Sequence, residues 1–147
     1  MNEYADLDEM AAWAASVMTR EPDFIVGENY LRRWFIVPRN AQMNVYLHEF
    51  RRSDDDRAMH DHPWNNHSFV IKGVYVEHTP DGSFQRRPGD SVVRLATDRH
   101  RVELIDGAPC VTLFTTGPKI RDWGFHCPQG FVPWLEFTDG RGCGEPS

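Results

Sequence analysis

The stretch MHDHPWNNHSFVIKG, residues 59–73, places three of the chain's seven histidines within eight positions. Imidazole is neutral near pH 7 and is a frequent transition-metal ligand. His60 and His62 are one residue apart, so on an extended chain both rings leave the same face while Asp61 leaves the other. Two imidazoles so placed can take adjacent positions on one ion. Pro63 stiffens the exit, and any further ligand must come from elsewhere in the chain.

Other residue types invite chemistry with less support. In NVYLHEF, residues 44–50, period-two alternation puts Asn44, Tyr46, His48 and Phe50 on one face, as a pocket wall or as an ordinary strand with a satisfied histidine. His126, in the Gly- and Pro-rich DWGFHCPQG, is a candidate for proton transfer or a lid contact, against a packed loop histidine. Cys127 adjoins it, but sequence neighbours seldom converge as a Cys/His catalytic pair.

The elements that must position these groups are mostly strands. In DLDEMAAWAASVMTR, residues 6–20, Leu7, Met10, Ala11, Ala14, Val17 and Met18 recur at helical spacing. Asp6 with Glu9 suggests a capping box, and Pro22 is expected to end the helix. Its acidic polar face fits packing on the protein body rather than on a membrane. Beyond Pro22, β-branched and aromatic runs predict strands near 23–27, 30–37, 42–50, 67–77, 91–96, 101–105, 110–115 and 131–137. The breaks include RRSDDDR (51–57), TPDG (79–82), RPGD (87–90) and DG (106–107). In TPDG, Pro80 presets the backbone and Gly82 accepts a positive φ. Many short strands without intervening helices predict an antiparallel sandwich or barrel. The expected division is a helical segment 1–22, one β domain 23–138 and a mobile tail 139–147.

With 147 residues, the chain is the size of one domain. A net charge of −6 argues against phosphate-backbone binding, so no nucleic-acid partner is expected. No apolar run is long enough to span a bilayer, and the acidic N-terminus is unlike a signal peptide. Those features, with three scattered cysteines and no CxxC pair, predict reduced thiols and a cytoplasmic protein.

Two motifs, taken together, resemble the cupins, small double-stranded β-helix proteins of the jelly-roll type. His60-Asp61-His62, then Asn66, then six residues to Gly73 is similar to the first cupin motif, H-x-H, three or four residues, Glu, six residues, Gly. Pro88-Gly89-Asp90, followed after nine residues by His100, is similar to the second. HDHPW with the later WGFHCP resembles a group of small cupins without assigned function. The resemblance spans residues 42–116 and implies an all-β jelly roll carrying a short N-terminal α-helix. It also implies a metal site of His60, His62 and His100. The chain departs from the pattern at Asn66, where cupins place a glutamate ligand. Asn66 is then a weak ligand or a neighbour of the site, and a bulge would be needed to bring in His67. Leu95-Ala96-Thr97 replaces a Pro-x-Gly, and Leu104 stands where an Asn is usual.

Imidazole ligands suit Fe, Zn, Ni, Cu and Mn, whereas Mg and Ca prefer oxygen. The arrangement resembles the three-histidine thiol and diketone dioxygenases, so Fe(II) is favoured and the expected partner is a small polar molecule. Around such a site Tyr75 is a candidate acid or orienting group. Arg94 and Arg101 flank His100 and are expected at the surface, or else paired with a substrate carboxylate. The alternatives are a non-catalytic cupin binding a metal or small ligand, and a sugar-nucleotide isomerase or epimerase working with a His base and Tyr acid. A homodimer, with YLRRWFIVP as its edge strand, is the family expectation.

Overall fold

The structure, a computed structural model, describes residues 3–27, 29–54 and 58–134. The helix α1 (Glu3–Val17) is followed by β1 (Phe24–Val26), β2 (Leu31–Phe35), β3 (Asn44–Phe50), β4 (Met59–His60), β5 (Asn66–Lys72) and β6 (Tyr75–Thr79). Then come β7 (Gly82–Arg86), β8 (Ser91–Arg94), β9 (Arg101–Leu104), β10 (Cys110–Thr116), β11 (Gly124–Cys127) and β12 (Gly130–Pro133). All strand pairs are antiparallel. One layer is a six-stranded sheet ordered β1-β2-β3-β10-β5-β8. The other combines β7-β6-β9 with β12-β11-β4, joined where His60 and His100 exchange backbone hydrogen bonds of 2.9 and 3.0 Å.

Alternation along the strands divides the large sheet into two faces. Trp34, Leu47, Ile71 and Val111 form one core with Ala14 of α1, flanked by Met10, Ala11, Val17 and Met18. These are the helix positions that the sequence period selects, and burying them fixes α1 on the outer side of the barrel. On the inner side, Val70 and Cys110 meet Tyr75, Val102 and Leu104 of the opposite layer, with Phe50 against them. Asn66, Ser68 and Val70 therefore point inward, while Phe69 and Ile71 pack toward the helix side.

Several expectations are corrected. α1 begins by Glu3, so Asp6 lies within the helix and is not its cap. The helix ends at Val17, ahead of Pro22, with Thr19 Oγ1 donating to Ser16 O at 2.6 Å. The single strand expected over 67–77 is two strands, because Gly73 (φ +85°) turns the chain from one layer to the other. The segments 59–60, 82–86 and 124–127, not predicted as strands, each pair with a neighbour. YLRRWFIVP contributes β2, which β1 covers on one side and β3 on the other, so it offers no free edge. Cys110 is free and buried, but Cys127 is disulfide-bonded, against the expectation of three thiols. Residues 135–137 of the last predicted strand and the tail 139–147 lie outside the described residues. Among the described residues no helix is long and apolar enough to cross a membrane.

The turn chemistry behaves as its residues require. Thr79 pairs with Gly82 across Pro80-Asp81, and Gly89 (φ +96°) lets Asp90 N reach Arg87 O at 2.9 Å. Gly73 combines a positive φ with close quarters: a Cβ there would sit 2.7 Å from Pro109 O and 2.8 Å from Cys110 Sγ. Gly73→Ala is accordingly expected to cost about 2 kcal/mol or more through strain and clash together. The measurement is a denaturant midpoint, which should fall sharply while Gly107→Ala, with nothing near its Cβ, falls less.

Candidate metal centre

His60 closes β4 and His100 immediately precedes β9, and their backbone pairing makes them cross-strand partners on one face. Their ring centroids are 4.8 Å apart. His62 follows two residues after His60, its backbone N held by Ala96 O at 3.0 Å. Its ring lies 5.2 Å from that of His60 and 5.0 Å from that of His100. One nitrogen from each of the three rings lies within 4.8 Å of the others. Donors about 2.1 Å from a metal are at most ~4.2 Å apart, so a small closing movement turns this cluster into a coordination sphere.

The protonation states suit a cation. Burial, then the charge of Arg94, lowers His60 to a pKa of about 4. Burial also takes His100 down to about 4, despite the hydrogen bond with Glu77 that opposes it. His62 is held well below the usual histidine value by burial and by the other two rings. All three rings are therefore neutral at pH 7 and offer lone pairs. The His62 Nδ1 is buried without a hydrogen bond. A neutral, crowded, under-satisfied set of imidazoles fits a transition-metal ion.

Carboxylates behind the rings aim them. Glu77 Oε2 lies 2.5 Å from His100 Nδ1. Burial would raise the Glu77 pKa, but the bonds from His100 and Arg94 together outweigh it and hold the group ionised, well below the usual carboxylate range. The neutral His100 ring must then donate from Nδ1, which leaves the Nε2 lone pair for the cluster. Asp54 Oδ2 lies 3.6 Å from His60 Nδ1 and accepts the Val102 amide at 2.7 Å. Asp61, between two of the rings in sequence, points away from them as alternation predicts. It accepts from Arg121, Gly124 N and His126, at 2.8, 2.9 and 2.8 Å.

Arg94 is not at the surface. It is 5 % exposed and crosses from β8 to β6, meeting Glu77 Oε2 at 2.6 Å and Ser68 Oγ at 2.9 Å. Arg86 joins the same carboxylate at 2.8 Å. Asn66 places Oδ1 3.4 Å from Arg94 and donates weakly to Trp64 O at 3.3 Å, so its amide engages the arginine and the adjacent loop. The negative charge that the resemblance puts on β5 resides instead on β6, as Glu77. His67 points to the opposite face of β5 from Asn66.

The other candidates sit apart from the three-ring cluster. His48 is buried on the inner face, stacked on Phe114 at 5.0 Å, and Phe114 in turn lies 6.4 Å from His62. Tyr75 is 2 % exposed in the inner core beside Arg94, and burial raises its pKa. His126 is hydrogen-bonded to Asp61 and Arg99 and borders an outer cleft with Met59, Arg99 and Arg101. On β11 it alternates with Phe125, whose ring is the one that approaches His60, at 5.8 Å. Glu77 and Asp54 escaped the sequence reading because a single acid on a strand and the first of three consecutive aspartates in a loop carry no local signal of a site. Arg94 misled because it follows an exposed strand edge.

Two outcomes follow. Glu77→Gln leaves two arginines short of their counter-charge, so it is expected to cost about 3 kcal/mol of stability and to weaken zinc binding roughly 10- to 100-fold; a melting curve and a competitive zinc titration measure the two. Because the folded-state histidine values lie below the ordinary 6.5, the unfolded chain takes up protons first as pH falls. The metal-free protein should therefore lose thermal stability from about pH 6.5 down to about pH 4, and metal should oppose that loss.

Neither a protein-family model nor a curated protein matches the sequence. Solved structures do. The chain is similar to the DMSP lyase DddQ of Ruegeria pomeroyi DSS-3 at 14 % identity and a TM-score of 0.57, over 71 % of this chain and 57 % of the lyase. It thus spans little more than half of that protein. A putative mannose-6-phosphate isomerase of Ralstonia eutropha JMP134 is 22 % identical with a TM-score of 0.55, over 65 % of this chain and 92 % of that one. A cupin superfamily protein of Desulfitobacterium hafniense DCB-2 is 14 % identical with a TM-score of 0.51, over 65 % and 84 %. Strand order, the turn at Gly73 and these likenesses agree: the chain has the cupin fold.

Proposed function

We propose that the protein is a mononuclear metalloenzyme, an Fe(II) oxygenase acting on a small polar molecule, with His60, His62 and His100 as the metal ligands. The observation that carries this reading is the convergence of three neutral imidazoles within 4.8 Å, two of them buried and one half-buried, with His100 aimed by an ionised carboxylate. His60, His62 and His100 would hold a ferrous ion as three neutral ligands, and the ion would supply open positions for dioxygen and a polar molecule. The chain's own residues contribute placement and charge. Glu77 keeps the proton of His100 on Nδ1, and Arg94 adds a positive charge beneath the rings that favours an anionic ligand. Trp123 and Phe125, 6.0 and 5.8 Å from the His60 ring, cover that ligand with apolar surface and limit water. Asn66 adds no negative charge, so attraction for an anion is not offset within the ligand set.

A metal-dependent lyase or isomerase is the second reading, favoured by the fold likeness to proteins bearing those names. Oxygen consumption separates the two. The full chain, loaded with Fe(II) under anaerobic conditions, is expected to consume oxygen with at least one member of a panel of thiols, diketones and amino acids. The His60→Ala/His62→Ala variant should neither retain the metal nor respond. Full metal occupancy with no oxygen uptake across the panel would overturn the oxygenase reading and leave the lyase or isomerase.

A further inference from the structure

The inner face of the large sheet carries a second charged feature, away from the metal cluster. Arg33 of β2 stands opposite His48 of β3, and its Nε donates to His48 Nε2 at 2.9 Å. The guanidinium carbon lies 4.4 Å over the Tyr46 ring. Among the described residues no carboxylate pairs with this cation. Glu49, next along β3, alternates to the other face and binds Arg51 at 3.1 Å. Arg39, a second cation that disfavours the charge on Arg33, places its guanidinium 5.6 Å from the Phe35 ring. An arginine stays protonated in a protein, so a half-buried guanidinium that meets no counter-ion among the described residues carries a desolvation cost that is not fully repaid.

His48 shows what holds that charge in place. The ring is 3 % exposed, and burial with the Arg33 charge keeps it neutral. Since Nε2 accepts from Arg33, the ring proton must be on Nδ1, and that buried donor has no partner. The histidine's one hydrogen bond is therefore spent on orienting the arginine. With Nε committed, the remaining N–H groups of Arg33 form a planar fork with no partner among the described residues. A carboxylate matches such a fork with two parallel hydrogen bonds and one compensating charge.

The fork is connected to the metal centre by aromatic surface. Phe114 lies 5.0 Å from His48 and 6.4 Å from His62, and Trp64 lies 5.6 Å from Phe114. We propose that Arg33, positioned by His48 over Tyr46, is the receptor for the carboxylate of a small organic anion whose body lies along Phe114 toward the three histidines. That this anion is the substrate of the metal centre rests on the function proposed above; the carboxylate site itself does not.

The test is calorimetric titration of the full chain, as purified and after chelation, with succinate and with benzoate. The expected result is saturable binding at one site per chain by at least one of them in the chelated protein. Arg33→Gln should weaken it at least tenfold while binding the same amount of zinc, which reports an intact fold. His48→Phe should weaken it too, and His48→Gln, whose amide oxygen can still accept from Arg33, should restore most of it. In the wild-type protein labelled with nitrogen-15, the Arg33 Nε–H resonance should move saturably with the same ligand, so the site is tested even if the variants fail to fold. Absence of saturable binding by either anion, equal binding by Arg33→Gln, or inorganic phosphate binding as tightly at matched ionic strength would overturn the proposal. Because the chelated protein is titrated, a missing metal and a missing carboxylate site give different results.

Discussion

Glu77 is the group on which the interior of this barrel depends. It is a buried carboxylate, and a buried carboxylate is tolerated only with full compensation. Compensation arrives from three elements at once: Arg86 on β7, Arg94 on β8 and His100 beside β9. Arg94 reaches Glu77 from the opposite layer, so one charge cluster both ties the layers together and fixes a metal-ligand ring. Removing the carboxylate would strand two guanidiniums and free the imidazole to turn. Stability and site geometry therefore share a cause here, and neither can be altered alone.

The same network accounts for the departure at Asn66. A glutamate there would lie beside Arg94 and compete with Glu77 for it. An amide can meet the arginine at 3.4 Å without adding charge, and the ligand set stays neutral. The inner surface thus combines neutral imidazoles with a buried and a half-buried cation. Arg94 lies under the rings and Arg33 beyond Phe114, and among the described residues Arg94 meets a carboxylate while Arg33 does not. Such a surface attracts anions for the ordinary electrostatic reason, even though the chain as a whole is acidic.

Much of this was legible in the sequence, for reasons that can be stated. His60 and His62 follow from period-two alternation alone. Gly73 and Pro88-Gly89-Asp90 mark turns whose backbone requirements few other residues meet, and His100 was singled out by the resemblance of its spacing from that turn to the second cupin motif. Alternation also set Asn66 and His67 on opposite faces of their strand. Strands β4, β7 and β11 were not legible, since MH, GSFQR and GFHC are too short or too polar to carry a period. The α1 start was misjudged because Asp6 and Glu9 match a cap pattern inside a helix that begins earlier. Glu77 and Asp54 were invisible as site residues, and Arg94 was expected at the surface or on a substrate carboxylate, because their roles are set by contacts with residues 17 to 48 positions away. His48 could be read as facing inward, but its partner Arg33 comes from register, which the sequence does not display.

The central claim is that three side chains distant in sequence hold one ion between β4 and β9. Anomalous diffraction from a crystal of the protein, recorded on either side of the iron and zinc absorption edges after growth with the corresponding salt, tests it most directly. The predicted result is a single strong anomalous peak about 2.1 Å from a nitrogen of each of His60, His62 and His100. A peak elsewhere, or none at that position with the three rings intact, would contradict the account and leave only the fold.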